Sequence, residues 1–241
     1  MFLKFNRHTE KIIDMKKTLL AVILAITLYS SGVSQTNKYW TGGSETIFSF
    51  ANIDDNGSTS GNVMRFAPFL NIQEMYNIDM GKSFGVYTGV FVRNVGFIYD
   101  NYKDLQTGDI VKKKFRSYNI GVPFGLKIGK MEKFFIYAGY DLAYAFNYKE
   151  KTFQNDRKDK LVSWFGNRVN AFQHGFVVGI QFPYGMNIKF KYYLSNFHNQ
   201  DYMETIDQVD YYPYKGLNAN VWYISLNFNL FKNNELYITE E

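Results

Sequence analysis

Six segments of the chain alternate apolar and polar residues strictly, and in each of them the apolar positions carry even numbers. The last segment shows the pattern in full, with Trp222, Ile224, Leu226, Phe228 and Leu230 separated by single polar or smaller residues. A period of two residues places successive side chains on opposite faces of a β-strand. The pattern therefore predicts strands that each have one apolar face and one polar face.

We predict eight strands, at residues 44–52, 62–76, 83–99, 114–128, 134–148, 169–182, 186–196 and 219–231. The connections between them alternate in length. Short turns at 77–82, 129–133 and 183–185 contain Gly81, Gly129 and Gly185, whereas the connections at 53–61, 100–113, 149–168 and 197–218 are long and polar. An even number of strands with short turns at one end and long loops at the other is typical of outer-membrane barrels.

The two faces of the predicted strands differ in size and charge. Even positions are bulky and apolar, for example Ile120, Leu142 and Ile180, while odd positions are small or charged, for example Gly139 and Asp141. A lipocalin-like barrel requires the reverse arrangement. A Lys or Arg facing the middle of a bilayer costs about 2–4 kcal/mol. The sequence thus predicts an all-β fold, an eight-stranded antiparallel up-and-down transmembrane barrel with its odd face inside.

The third strand departs from this regularity. Val86 and Val90 keep the even phase, but Val95, Phe97 and Tyr99 are apolar at odd positions. A β-bulge near residues 93–94 would reverse the phase. A strand end that rises above the bilayer would have the same effect, and the sequence alone leaves both explanations open.

The beginning of the chain has the features of an export signal. Lys16 and Lys17 precede an apolar run of about ten residues, and a small-residue segment then leads to Ser34 and Gln35. The run is shorter than the roughly 20 residues that a membrane-spanning helix needs. We predict an upstream extension and cleaved signal over 1–34, with the signal starting at Met15, a barrel over 35–231 and a short tail over 232–241.

Composition and charge limit the remaining classes of protein. Aromatic residues make up 19% of the 241 residues, which suits strands and interfacial girdles. The net charge of +5 falls to +2 without residues 1–34, which hold five of the 27 basic and two of the 22 acidic residues. This balance gives no sign of nucleic-acid binding. The absence of cysteine excludes disulfides and thiolate metal sites.

The chain resembles the small outer-membrane β-barrel proteins of Bacteroidota, often described as a porin family. The resemblance lies in the signal ending Ser34-Gln35, in the segment 116–128 (RSYNIGVPFGLKI) and in the closing segment 225–231 (SLNFNLF). It covers roughly residues 40–231 and implies an outer-membrane location and an eight-stranded barrel. Members of the family differ in function, and one branch serves a protein secretion pathway.

Strand parity places a set of polar side chains inside the predicted barrel. We predict a lumen network of these residues: Arg65, Arg93, Lys127, Asp141, Gln181, Lys189 and Lys191. An eight-stranded barrel is only just wide enough to be filled by its own side chains. We therefore favour a closed plug of salt bridges, with Asp141 paired to Arg65 or Arg93, over a conduction path.

The long loops carry the remaining candidate residues. Exposed tyrosines and mixed charges suit a recognition surface, and the predicted recognition residues are Tyr202, Tyr211, Tyr212, Tyr214, Arg157 and Lys158. The basic loop also matches anionic lipopolysaccharide electrostatically. Ser163, Asp159 and His174 hold the elements of a catalytic group only by a loose coincidence of spacing. We expect no catalytic residues, no metal and no cofactor.

The hypothesis that these observations favour is a non-catalytic outer-membrane protein with a structural or surface-recognition role through four loops. A narrow porin-like channel and a component of a secretion or envelope-assembly pathway are the alternatives. The partners expected are outer-membrane lipid or lipopolysaccharide, an envelope or surface protein, and the barrel-assembly machinery for insertion. Nucleic acid is not expected.

Overall fold

The computed structural model describes residues 36–60, 63–104, 107–131, 133–154, 157–206 and 208–232. The predicted signal and residues 233–241 of the predicted tail lie outside these ranges. No helix within them is long and apolar enough to cross a membrane. The strands within them are β1 (Thr36–Asp55), β2 (Ser58–Ser60), β3 (Arg65–Ala67), β4 (Ile72–Met80), β5 (Phe84–Lys103), β6 (Ile110–Lys130), β7 (Phe134–Gln154), β8 (Arg157–Trp164), β9 (Phe172–Gln181), β10 (Met186–Tyr193), β11 (Glu204–Ile206), β12 (Val209–Tyr211) and β13 (Leu217–Lys232).

These strands form a closed antiparallel ring with eight positions. Six positions are the single strands β1, β5, β6, β7, β10 and β13, and two are interrupted strands, β2–β3–β4 and β8–β9. The ring closes between β1 and β13, where pairing runs from Thr41 opposite Lys232 to Asp55 opposite Leu217, with a register shift between Gly42 and Ser44. Closure leaves the ring without a free edge. The predicted eight-stranded antiparallel barrel is confirmed.

The two faces of the ring are those that the alternation predicts. Ile120 and Leu142 point outward and are 50% and 48% exposed, whereas Asp141 and Lys191 point inward and are buried. Inward glycines make room for large interior side chains. A Cβ atom added to Gly179 would meet the ring of Tyr137, and one added to Gly139 would meet the hydroxyl of Tyr87.

The strands extend further than the sequence predicts, particularly at the loop end. β1 begins at Thr36 rather than 44, and the long connections at 100–113 and 149–168 are largely hairpins formed by β5 with β6 and β7 with β8. Above the apolar belt the outer face carries charged side chains such as Lys114 and the inner face is apolar, so the chain no longer alternates in the phase that marks the belt. Cross-strand pairing still satisfies the backbone N–H and C=O groups there.

The second predicted strand, 62–76, is interrupted. β3 ends at Ala67 and β4 begins at Ile72, with Pro68 between them and Leu70 in the left-handed region at φ 61°. Proline cannot donate a backbone hydrogen bond to a neighbouring strand. The side chain of Asn71 bridges the gap, since its Nδ2 donates to the carbonyl of Ala67 at 2.7 Å and its Oδ1 accepts from the amide of Asn94 at 2.8 Å.

Of the two explanations left open for the third strand, the β-bulge near residues 93–94 does not occur. Register between β5 and β6 is continuous from Phe91 to Tyr99, and Val95 and Phe97 stay on the inner face, where they are buried. These positions are apolar because the upper interior of the barrel is itself apolar. A register shift does occur in β7, where Asn147 is opposite Tyr118 and Ala145 is opposite Asn119.

The interior has two levels of different chemistry. A charged layer lies midway along the barrel axis. It consists of Glu45, Gln73, Arg93, Asp141, Lys189 and Lys191. Towards the loop end, an aromatic core of buried residues follows, which includes Val95, Phe97, Phe115, Tyr148, Phe197, Tyr214 and Tyr223. The barrel is therefore filled with side chains at both levels.

Candidate functional site in the barrel interior and at its loop end

Glu45 on β1 is the first of two carboxylates at the centre of the charged layer. Its Oε1 accepts hydrogen bonds from Lys189 Nζ at 2.7 Å and from the Arg93 guanidinium at 3.3 Å. Its Oε2 accepts from the hydroxyl of Ser225 at 3.1 Å, across the closing strand β13. Glu45 is 1% exposed. A buried carboxylate is tolerated when it is paired and hydrogen-bonded in this way.

Asp141 on β7 is the second carboxylate. It binds Arg93 Nη1 at 2.5 Å and Lys191 Nζ at 2.7 Å. Arg93 therefore bridges the two acids, and Gln73 Oε1 accepts further hydrogen bonds from Arg93 and Lys189. Three cations and two carboxylates share one buried compartment, and each of these ions has an opposite charge in contact.

A second polar group lies nearer the short-turn end. Lys127 Nζ contacts the carboxylate of Asp79 and donates to Asn77 Oδ1 at 3.0 Å. A cavity of about 360 Å³ lies at this end, and Lys127, Lys189 and Arg93 contribute to its walls. Because Arg93 and Lys189 also belong to the charged layer, that layer bounds the cavity on its inner side.

The aromatic core closes the interior towards the loops. The imidazole of His198 is fully buried and stacks on the Tyr214 ring, with centroids 4.2 Å apart and planes 10° apart. Phe115 packs edge-on against the imidazole, with ring centroids 4.6 Å apart. Burial lowers the pKa of His198 well below its usual value, and the positive charges of Lys113 and Arg168 act in the same direction.

A hydrogen-bonded cluster ties the last loop to the barrel mouth. The hydroxyls of Tyr148 and Tyr214 donate to Glu150 Oε2 at 2.7 and 3.0 Å, and Lys113 binds Glu150 Oε1 at 2.7 Å. Arg168 Nη1 donates to the hydroxyl of Tyr214 at 3.2 Å. The last loop is thus folded back over the interior.

The structure places the predicted lumen residues in three separate groups. Arg93, Asp141, Lys189 and Lys191 meet in the charged layer, whereas Lys127 and Gln181 lie nearer the short turns. Arg65 belongs to neither group. Its guanidinium donates to the backbone carbonyl of Asn94 at 3.3 Å and contacts the Asn94 side chain.

The predicted loop residues differ in exposure. Arg157 and Lys158 are exposed at the tip of the β7–β8 hairpin, and Tyr212 is 40% exposed. Tyr202 and Tyr211 are half-buried. Tyr214 is buried, so its prediction as a surface recognition residue is wrong, because its ring packs on His198 in the aromatic core.

Several residues of the interior were absent from the predicted network. Glu45, Asp79 and Ser225 occupy odd positions, so strand parity was available as a signal for each of them. Glu150 follows the register shift in β7, which turns an even-numbered side chain inward. No pattern in the sequence marks that shift.

The residues that could have formed a catalytic group lie apart. Ser163 is opposite Tyr148 on β7, whereas His174 is opposite Leu142. At about 3.3 Å per residue, these two positions are about 20 Å apart along β7. The His174 ring instead contacts the hydroxyl of Tyr140 on the outer wall.

No family model and no curated protein sequence matches the chain. It is similar in fold to solved outer-membrane barrels. Ail, the attachment invasion locus protein of Yersinia pestis, in complex with the heparin analogue sucrose octasulfate, is 12% identical, with a TM-score of 0.34 over 78% of this chain and 97% of that one. Neisserial surface protein A is 11% identical, with a TM-score of 0.34 over 82% of this chain and 100% of that one. At TM-scores this low we infer nothing about the activity of this chain from the likeness.

Proposed function

We propose that the protein is an integral outer-membrane barrel that neither conducts solutes nor catalyses a reaction, and that presents its loop end as a surface for recognition. The outer wall supports the membrane location. Ile120, Phe124, Leu142 and Phe176 point outward and are about half exposed. An apolar belt on the outside of a closed ring requires lipid around it.

The filled interior is the observation that carries the non-conducting role. Arg93 joins Glu45 and Asp141 across the centre of the ring, and the aromatic core covers this layer on the loop side. A solute would have to break buried ion pairs and then displace packed rings. Such pairs are costly to separate in a buried interior.

The loop end is the part available to a partner. Val209 and Tyr212 are exposed on the small β11–β12 hairpin and next to it, and Ile110 is exposed at the tip of the β5–β6 hairpin. β11 pairs only with β12 within the described residues, so this hairpin is separate from the barrel wall. The ion pair of Glu204 with Arg168 holds the hairpin at the barrel mouth, and the hairpin's exposed side chains are the part that a partner could reach.

Conductance across planar bilayers tests this proposal. We expect the refolded protein to show the heat-dependent gel shift of a folded barrel and no single-channel steps. Asp141→Asn should lower the thermal stability without producing conductance, because Arg93 and the aromatic core still fill the interior.

Lys82→Gln serves as the matched control, since it removes one positive charge from an exposed position at the short-turn end that does not line the cavity. Steps in the wild type that change on neutralising Lys189 or Lys191, but not Lys82, would show a narrow channel instead.

A further inference from the structure

The outer wall carries an unusual row of lysines where three neighbouring strands rise towards the loops. Lys114 on β6 is directly opposite Lys151 on β7, which is directly opposite Lys160 on β8. Residues paired in this way point to the same face, with Cβ atoms about 5 Å apart. Together with neighbours on the same face, they form a cationic ladder: Lys112, Lys114, Arg116, Lys149, Lys151, Lys158 and Lys160.

The described part of the protein does not neutralise the ladder. Within the part of the chain that the structure describes, no ion pair joins any of these seven side chains to a carboxylate. Like charges directly opposite each other destabilise a sheet.

A row of aromatic side chains lies directly below the ladder on the same three strands. Tyr118, Phe146 and Trp164 follow one another across the wall, with ring centroids 6.5 and 6.2 Å apart. The apolar belt continues beneath them with Ile120 and Tyr144. Aromatic girdles mark the interface between hydrocarbon and head groups in barrels of this kind.

We propose that the cationic ladder binds the phosphate groups of a phosphorylated glycolipid in the surrounding outer leaflet. A lipid whose acyl chains lie against Ile120 and Tyr144 would bring its head group past the aromatic row and onto the lysines. A soluble polyanion has no acyl chains, so it would gain nothing from the apolar wall below the ladder. This inference rests on the membrane location proposed above, and it assigns a ligand to the outside of the wall rather than to the loop tips.

Binding of bisphosphorylated lipid A to the folded barrel, measured by native mass spectrometry from detergent, tests the inference. We expect the triple variant Lys114→Gln, Lys151→Gln, Lys160→Gln to bind at least about tenfold more weakly, since each basic residue at an anionic surface contributes appreciably. The corresponding triple Lys→Arg variant should bind like the wild type. The matched control is Lys38→Gln, Lys82→Gln, Lys133→Gln, which removes the same charge from exposed positions at the short-turn end.

Two further probes identify the source of the phosphate. Dephosphorylated lipid A should bind about tenfold more weakly than lipid A, and the soluble, deacylated disaccharide bisphosphate should not compete at equal concentration. Unchanged binding by the triple Gln variant, an equal loss in the control, or full competition by the soluble sugar would each overturn the inference. Failure of the chain to insert into bilayers, scored beforehand by the heat-dependent gel shift, would overturn the membrane location itself.

Discussion

The charged layer and the aromatic core occupy the same barrel but are stabilised in different ways. In the charged layer, Glu45 and Asp141 each touch two cations, and removing either carboxylate leaves one lysine without an acidic partner. In the aromatic core, Phe97 packs against Phe115 and Phe197 at centroid distances of 5.0 and 5.3 Å. Losing one ring there removes contacts but creates no uncompensated charge.

The same strand pattern can therefore produce two interior levels of different chemistry. In both levels most of the strand residues are odd-numbered and inward-facing, and β5 contributes Arg93 to one level and Phe97 to the other. Tyr148, which follows the register shift in β7, and Tyr214, which lies in the last loop, are even-numbered exceptions. The chemistry of the inward-facing side chains then decides whether a level depends on charge balance or on packing volume.

Removing a carboxylate of the charged layer should lower the free energy of unfolding most. Glu45→Gln keeps a polar side chain of the same shape but leaves Lys189 without a carboxylate in contact and Arg93 with only Asp141. Breaking one partner of a buried ion pair costs about 3–5 kcal/mol. The free energy of unfolding, measured by urea titration in lipid vesicles, should fall by that amount.

Ser225→Ala is the matched control, because it removes only the hydroxyl that donates to Glu45. Its cost should be about 1 kcal/mol. Equal effects of the two substitutions would mean that the charged layer is stabilised by hydrogen bonding rather than by charge balance.

The second expected effect concerns packing. Phe97→Ala removes a fully buried ring from the aromatic core, and truncations of this kind cost about 3–4 kcal/mol. Because the substitution leaves no charge without a partner, the loss in free energy of unfolding should be the same at low and high salt. Unfolding curves at two salt concentrations measure this.

Phe153→Ala provides the comparison, since that ring is 37% exposed on the β7 hairpin. We expect it to change the free energy of unfolding by less than about 1 kcal/mol. A loss at Phe97 that changes with salt would show that the aromatic core depends on charge and would remove the distinction between the two levels.

The inward positions of the charged layer could be predicted from the sequence, but their partners could not. Alternation alone places Arg93, Asp141, Lys189 and Lys191 on the inner face. Which acid meets which base depends on the register of strands far apart in the chain, such as β1 with β13. Glu45 illustrates this limit. Parity places its side chain inside the barrel, but its contacts with Lys189 and Ser225 depend on how the ring closes.

The aromatic core was harder to predict, since a polar interior was expected throughout. Val95 and Phe97 then looked like a reversal of phase, whereas they lie on the inner face in unbroken register. Tyr214 was placed on the surface because it lies in a polar loop. Nothing local in the sequence indicates that this loop folds back so that Tyr214 stacks on His198.

A weak pH dependence of the stability should arise from the aromatic core alone. Burial holds the pKa of His198 well below its usual value, so the folded protein keeps this imidazole neutral. The unfolded chain takes up a proton near pH 6.5. The contribution to stability is therefore complete above that pH and is lost as the pH falls, by at most about 1.4 kcal/mol between pH 6.5 and 5.5.

His198→Phe should abolish this part of the pH dependence while keeping a ring against Tyr214. The free energy of unfolding at pH 7.5 and 5.5, compared between wild type and variant, isolates the effect from that of the buried carboxylates. His174→Phe, on the outer wall, is the matched histidine control. If both variants reduced the pH dependence equally, the titration would not belong to the aromatic core. A loss confined to His198→Phe would show that the core closing the barrel mouth is sensitive to pH through one buried ring, even though its packing is otherwise independent of charge.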